Sequence, residues 1–201
     1  MLLENMKEIL QEIYRVYLKQ LLHLEIPHQK LVICFSGIPG SGKTALAKKI
    51  EERYLGVRIN NDDLRRVIAE VMEKYRLLRN EENNQKMLHD SLAYFFSAYL
   101  GKNKLIILDS SIDRTWKEEK KWFEESGYSF FIIRMDISLE EIHRRLQERE
   151  MKMPERNFER LKHWKKEYAK AKREIKADFT VKDNSLEEVQ KLFEKLDEII
   201  R

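Results

Sequence analysis

Residues 37–44 read Gly37-Ile38-Pro39-Gly40-Ser41-Gly42-Lys43-Thr44, a spacing of glycines, lysine and hydroxyl that can wrap backbone N–H groups around a chain of phosphates. Lys43 can reach the outer phosphates, the Thr44 hydroxyl can hold Mg²⁺, and a helix beginning there adds a favourable dipole. Two acidic positions could complete such a site. Asp109 follows the apolar Leu105-Ile106-Ile107-Leu108 and has the form of the carboxylate that holds Mg²⁺, directly or through water, where phosphoryl groups are moved. With Thr44 it makes the candidate metal pair. Asp62 and Asp63 follow Asn60-Asn61 and precede Leu64-Arg65-Arg66; Asn or Asp here is an ordinary helix N-cap. The chemical alternative is a carboxylate opposite the γ-phosphate that takes the proton of an attacking hydroxyl.

These groups need strands and helices to converge. The apolar run Leu31-Val32-Ile33-Cys34-Phe35 leads into the glycine loop, and the helix-prone Ala45-Leu46-Ala47 follows it. Apolar runs alternate with amphipathic stretches along the rest of the chain, which is the pattern of βα units around a parallel sheet. Strands are expected near 31–36, 57–60, 104–109, 129–136 and 178–182. Helices are expected near 3–23, 43–54, 63–79, 83–100, 114–126, 139–150, 155–174 and 186–199. Two helix starts, Ser138-Leu139-Glu140-Glu141 and Ser185-Leu186-Glu187-Glu188, carry the capping-box spacing. In open parallel sheets ligands bind beyond the carboxyl ends of the strands, and the first three runs end in the glycine loop, Asn60–Arg65 and Asp109-Ser110-Ser111.

The stretch Val57-Arg58-Ile59-Asn60-Asn61-Asp62-Asp63-Leu64-Arg65, joined to Gly37–Thr44, resembles the P-loop kinases that include polynucleotide 5′-hydroxyl kinase and the zeta-toxin-type kinases. The resemblance covers about residues 31–200. It implies an α/β, three-layer P-loop kinase fold with a five-stranded parallel sheet, a helical lid near 145–155 and an extra N-terminal helix. It implies further that Asp62 is the general base and that Arg65 binds an acceptor phosphate. Asp63 and Ser111 are the other acceptor-side candidates; Asp109 is followed by Ser110-Ser111 where relatives often carry Thr-Asn. Arg144-Arg145-Leu146-Gln147-Glu148-Arg149 is similar to the lid whose arginines close over the triphosphate, Arg149 first and Arg145 second. Val181-Lys182-Asp183-Asn184 is similar to the last strand and adenine-side loop of small kinases, which makes Asn184 a nucleotide contact. L-seryl-tRNA kinases share the same general plan.

At 201 residues the chain is long enough for one well-buried domain: a kinase domain over 29–201 with an amphipathic helix over 1–28 packing on it. That helix is interrupted by charges, so no spanning or targeting segment is expected; a homodimer or partner contact is its rival role. The lone cysteine, Cys34, has no intramolecular disulfide partner, which suits a reducing cytoplasm. Net charge is +4, yet Arg144–Lys176 holds thirteen Lys/Arg against six Glu, so that stretch is +7 and the remainder −3. Phe158, Trp164 and Tyr168 are interleaved with those cations, a pattern that could follow a nucleic-acid backbone or could be a core face with solvated lysines. The five histidines make no metal-ligand spacing with Cys34, and the guanine-reading Asn-Lys-x-Asp motif is absent, so ATP and Mg²⁺ are the expected cofactors. The leading expectation is transfer of the γ-phosphoryl group to a hydroxyl, with a polynucleotide or RNA-linked hydroxyl ranked slightly above a nucleoside, sugar or other metabolite. A nucleotide-binding regulatory module is the rival from another class.

Overall fold

In the computed structural model the described residues are 2–19, 29–77, 80–100, 104–150, 156–183 and 185–200; at 2–5, 18, 19, 81, 97–100, 149, 150 and 156–160 only the backbone is described. Strands β1 (Leu31–Ser36), β2 (Val57–Asn60), β3 (Ile106–Ser111), β4 (Ser129–Met135) and β5 (Phe179–Val181) alternate with helices. The helices are α1 (Leu2–Lys19), α2 (Lys43–Tyr54), α3 (Asn61–Lys74), α4 (Glu81–Leu100), α5 (Trp116–Glu125), α6 (Leu139–Glu150), α7 (Arg156–Glu174) and α8 (Leu186–Ile199). The strands form one parallel sheet in the order β2-β3-β1-β4-β5. Because β1 sits in the middle with β3 and β4 on its two sides, the chain reverses direction across the sheet at the end of β1. That point is where a doubly wound sheet opens its ligand crevice.

All six residues of β1 are buried, and its side chains alternate between two cores, as the two-residue period of a strand requires. Val32 and Cys34 join the core beneath α1, α3, α4 and α5; Leu31, Ile33 and Phe35 join the one beneath α2, α6 and α8. A strand covered on both faces reads as a continuous apolar run, as this one does. Helix α1 packs on α3 and α4, with Ile9, Ile13 and Tyr17 buried, so the apolar stripe is covered within the chain over the described side chains of Met6–Tyr17.

Several boundaries differ from expectation for identifiable reasons. Helix α3 ends at Lys74, not near residue 79, because Arg76 takes a left-handed conformation (φ 53°). The Leu77 N–H then bonds back to the Met72 carbonyl at 2.9 Å while the Leu77 side chain packs on the core. This is a Schellman-type stop with arginine in the place usually taken by glycine. The capping boxes form only in half: Ser138 Oγ accepts from Glu141 N and Ser185 Oγ from Glu188 N, both at 3.2 Å. The Glu141 carboxylate goes instead to Arg144 and Arg145, and that of Glu188 to the Lys182 and Asp183 amides. The expected lid is described only as far as Glu150 of α6; Met151–Glu155 and Asn184 lie outside the described residues.

Candidate active site

The glycine loop leaves β1 and enters α2 in a conformation that side chains would obstruct. Gly37 has φ 148°, and a Cβ there would stand 2.9 Å from Met135 Cβ on β4. Gly42, at φ 98°, is the N-cap of α2, so the next residues present their amides and the helix dipole to whatever occupies the loop. The Lys43 ammonium donates to the Gly37 and Ile38 carbonyls at 2.7 and 3.0 Å. Burial pushes its pKa down to about 8, against the opposing pull of Asp113 and Asp109.

Asp109 lies within β3, two residues before its end. Register explains its position. Cys34 pairs with Leu108, but the next residue of β1, Phe35, pairs with Ser111, while on the other side Asn60 pairs with Asp109. Asp109 and Ser110 therefore bulge out of the β1 ladder beside the glycine loop, as bulges near sites do. The Asp109 carboxylate is buried and accepts at both oxygens: Oδ1 from Thr44 Oγ1 at 3.0 Å, and Oδ2 from Arg58 at 2.8 Å and Asn60 Nδ2 at 2.6 Å. Arg58 is held in turn by Glu51 at 2.6 Å. Two hard oxygen groups at the loop, Thr44 and Asp109, suit a Mg²⁺ ion that keeps most of its ligands from phosphates and water. Among the described residues no group of three or more His, Cys, Asp or Glu could hold a metal alone.

Asn60, not Asp62 or Asp63, caps α3: its Oδ1 accepts from both the Asp62 and Asp63 amides, at 2.9 and 3.0 Å. Both aspartates are thereby released from capping and lie in the first helical turn, where the dipole favours their charge. Their side chains part company there. Asp62 lines the cavity above the loop, whereas Asp63 is 3.3 Å from Arg66 and does not line it.

That cavity measures about 320 Å³ and brings together Gly37–Gly40, Gly42, Lys43, Thr44, Asp62, Arg65, Asp109 and Ser111. Ser41 is buried behind the loop, and its carbonyl accepts from Arg145 at 3.2 Å while Arg145 also pairs with Glu141 at 2.6 Å. The Arg149 side chain lies outside the described residues. Asp113, Arg114 and Glu167 line the cavity as well, with no signal in the sequence to mark them. Asp113 Oδ2 accepts from Gly37 N at 3.1 Å, and its Oδ1 is buried without a hydrogen-bond partner. The far wall is Trp164 of α7 with the Arg114–Glu167 pair (3.4 Å). Arg58 and Asn60 stand in the stretch that carries the kinase resemblance and Trp164 in the basic, aromatic-interleaved stretch, but the sequence assigns none of the three to this site.

The sequence profile of the AAA domain family matches residues 32–171. A comparison with curated proteins finds no match. Among solved structures, APS kinase CysC of Mycobacterium tuberculosis, in complex with AMPPNP and APS, is similar at TM-score 0.52 and 18% identity, over 85% of this chain and 99% of that one. Shikimate kinase of Acinetobacter baumannii, in complex with shikimate, is similar at TM-score 0.51 and 12% identity, over 86% of this chain and 93% of that one. A structure from the PezAT toxin–antitoxin system of Streptococcus pneumoniae is similar at TM-score 0.55 and 16% identity, over 71% of this chain and 62% of that one. The fold is that of the P-loop kinases, with an additional helix at the N-terminal end. With the family profile spanning β1 through most of α7, the chain belongs to the AAA domain family.

Proposed function

We propose that this protein is a Mg²⁺- and ATP-dependent kinase that transfers the γ-phosphoryl group to a hydroxyl on a small acceptor. The observation that carries the proposal is the arrangement around one cavity of the glycine loop with Lys43, the Thr44–Asp109 pair and the Asp62 carboxylate. In this reading the loop amides of residues 37–44 and Lys43 grip the triphosphate, and Thr44 and Asp109 hold Mg²⁺, which when bound neutralises charge on the phosphate oxygens. Asp62 accepts the hydroxyl proton as the acceptor oxygen bonds to the γ-phosphorus and the bond to the β,γ-bridging oxygen breaks, leaving ADP. Arg65 and Ser111 face the acceptor, Arg145 braces the loop through Ser41, Arg149 completes the cationic clamp, and Asn184 serves the adenine side. The kinase domain spans 29–201, and residues 1–28, which include α1 (Leu2–Lys19), are an accessory segment.

The small acceptor replaces the polynucleotide favoured by the basic stretch. Trp164, one of the aromatics of the basic stretch, lines the cavity beside the Arg114–Glu167 pair, so its ring belongs to the same small pocket as Lys43 and Asp62. The similar kinases of known complex act, by their names, on small molecules. A cytoplasmic setting belongs to the same proposal, resting on the lone buried thiol of Cys34; no helix among the described residues is long and apolar enough to cross a membrane. The test is transfer of label from [γ-³²P]ATP across a panel of alicyclic alcohols, sugars, nucleosides, adenylyl sulfate, transfer RNA and 5′-hydroxyl oligonucleotides. Transfer to a small hydroxyl compound, lost in Asp62→Asn, is expected. Transfer to nucleic acid alone would reinstate the polymer acceptor, and nucleotide binding without transfer to any alcohol would point to the regulatory module.

A further inference from the structure

Helix α1 lies outside the part of the chain that the family profile covers, which begins at Val32, yet it reaches the site. Strand β2 is at the edge of the sheet, so the outward main-chain groups of its last residue, Asn60, have no strand to serve them. They are buried, Asn60 being 8% exposed, and a buried N–H without a partner is costly. Tyr17 of α1 supplies the partner: its hydroxyl oxygen accepts from Asn60 N at 2.9 Å, and it lies 3.5 Å from the Asn60 carbonyl. The ring is itself fixed, edge-on to Phe95 of α4 with centroids 5.6 Å apart.

Asn60 has no slack to pass on. One end of its amide donates to Asp109 at 2.6 Å, and the other accepts from the Asp62 and Asp63 amides. A shift of its backbone would therefore move the carboxylate beside Thr44 and the start of the helix that carries Asp62 together. We propose that Tyr17 is a positioning residue for phosphoryl transfer, its hydroxyl fixing Asn60 and, through Asn60, both carboxylates that serve the cavity. The accessory helix is thus a working part of the site. The inference rests on the kinase reading for its chemistry, and the hydrogen-bonded chain stands apart from that reading.

Tyr17→Phe removes the hydroxyl and keeps the ring. Ile13→Ala is the comparison: Ile13 is buried on the same helix, 1% exposed, and no hydrogen bond ties it to Asn60. For Tyr17→Phe the expected result is a fall of about tenfold in kcat with little change in the KM for ATP, and a several-fold rise in the Mg²⁺ concentration that half-saturates AMPPNP binding, at the low end of the effects of outer-shell partners and small misplacements. Ile13→Ala should lower Tm by more while keeping kcat and the Mg²⁺ requirement, measured well below Tm. The inference is overturned if Tyr17→Phe loses stability alone, or if both variants lose turnover in proportion to stability. Should the unmodified protein bind AMPPNP but phosphorylate no alcohol, the kinase reading fails, and the Mg²⁺ dependence of binding still decides the role of Tyr17.

Discussion

Raising the pH from 7 to 9 should cost the protein about tenfold in nucleotide affinity through Lys43 alone. Burial holds this ammonium at a pKa of about 8, against 10.5 for an ordinary lysine. Bound phosphates favour the charged form, so the nucleotide selects protonated Lys43 and draws its pKa back up. The fraction protonated beforehand is about nine-tenths at pH 7 and about one-tenth at pH 9, which gives the tenfold loss. An unperturbed lysine would lose only about 3% over the same interval. Calorimetric titration with Mg²⁺ and AMPPNP from pH 7 to 9.5, in two buffers of different ionisation enthalpy, reads both quantities. Affinity should fall with pH while proton uptake approaches one per site near pH 9. Lys43→Ala should bind weakly throughout and lose the slope. An affinity that stays flat to pH 9 in the unmodified protein, with no proton uptake, would refute the assignment of Lys43 as a desolvated phosphate ligand.

Asp62→Asn should reduce kcat by roughly 10²–10⁴-fold with nucleotide affinity nearly unchanged, as expected on losing a general base; Asp63→Asn should have little effect, and the reverse pattern in single-turnover assays would move the base by one residue. Gly37→Ala should abolish AMPPNP binding, because its Cβ would collide with Met135 at 2.9 Å; retained affinity would mean that β4 can give way. Glu119, buried on α5 with one carboxylate oxygen hydrogen-bonded to Thr115 and the other unpartnered, is pushed up to about 7 by burial. Its folded pKa lies above the unfolded value of 4.5, so the unfolded chain binds fewer protons between the two, and stability is lost as pH rises from about 4.5 to 7. Glu119→Gln should therefore gain on the unmodified protein by roughly 2–3 kcal/mol more at pH 8 than at pH 5 in urea melts. An equal effect at both pH values would place the carboxyl in a wetter site.

Most of the fold could be read in advance because its signals are local. A continuous apolar run followed by the glycine loop announced β1 and α2, and the three-to-four residue period announced the helices. The candidate site was legible where chemistry is written into spacing, as in Lys43, Thr44 and Asp109. It was not legible where a residue acts through a distant partner. Arg58 alternates with apolar neighbours in β2 like any edge-strand residue, and only the sheet brings it to Asp109. Tyr17 falls on the apolar stripe of α1, where periodicity assigns packing and cannot show a hydroxyl meeting an amide 43 residues away. The end of α3 was overrun because Leu77 prolongs the helical pattern and no glycine marks the turn at Arg76. Between Asp62 and Asp63 the sequence offers a preference only through resemblance; the turn of α3 sets Asp62 on the cavity and Asp63 against Arg66.

The bulge in β3 has a parity. Two residues, Asp109 and Ser110, are interposed between Leu108 and Ser111 relative to β1, and side chains alternate with a period of two. An even insertion leaves the alternation in phase at Ser111, the last residue of β3; an odd one would put Ser111 on the opposite face. The Asp109 carboxylate thus occupies a segment that the β1–β3 ladder could lose without changing which side chains face which layer. Excising both residues would remove the Asp109 carboxylate and keep the alternation in phase, whereas excising only one would reverse it at the end of the strand.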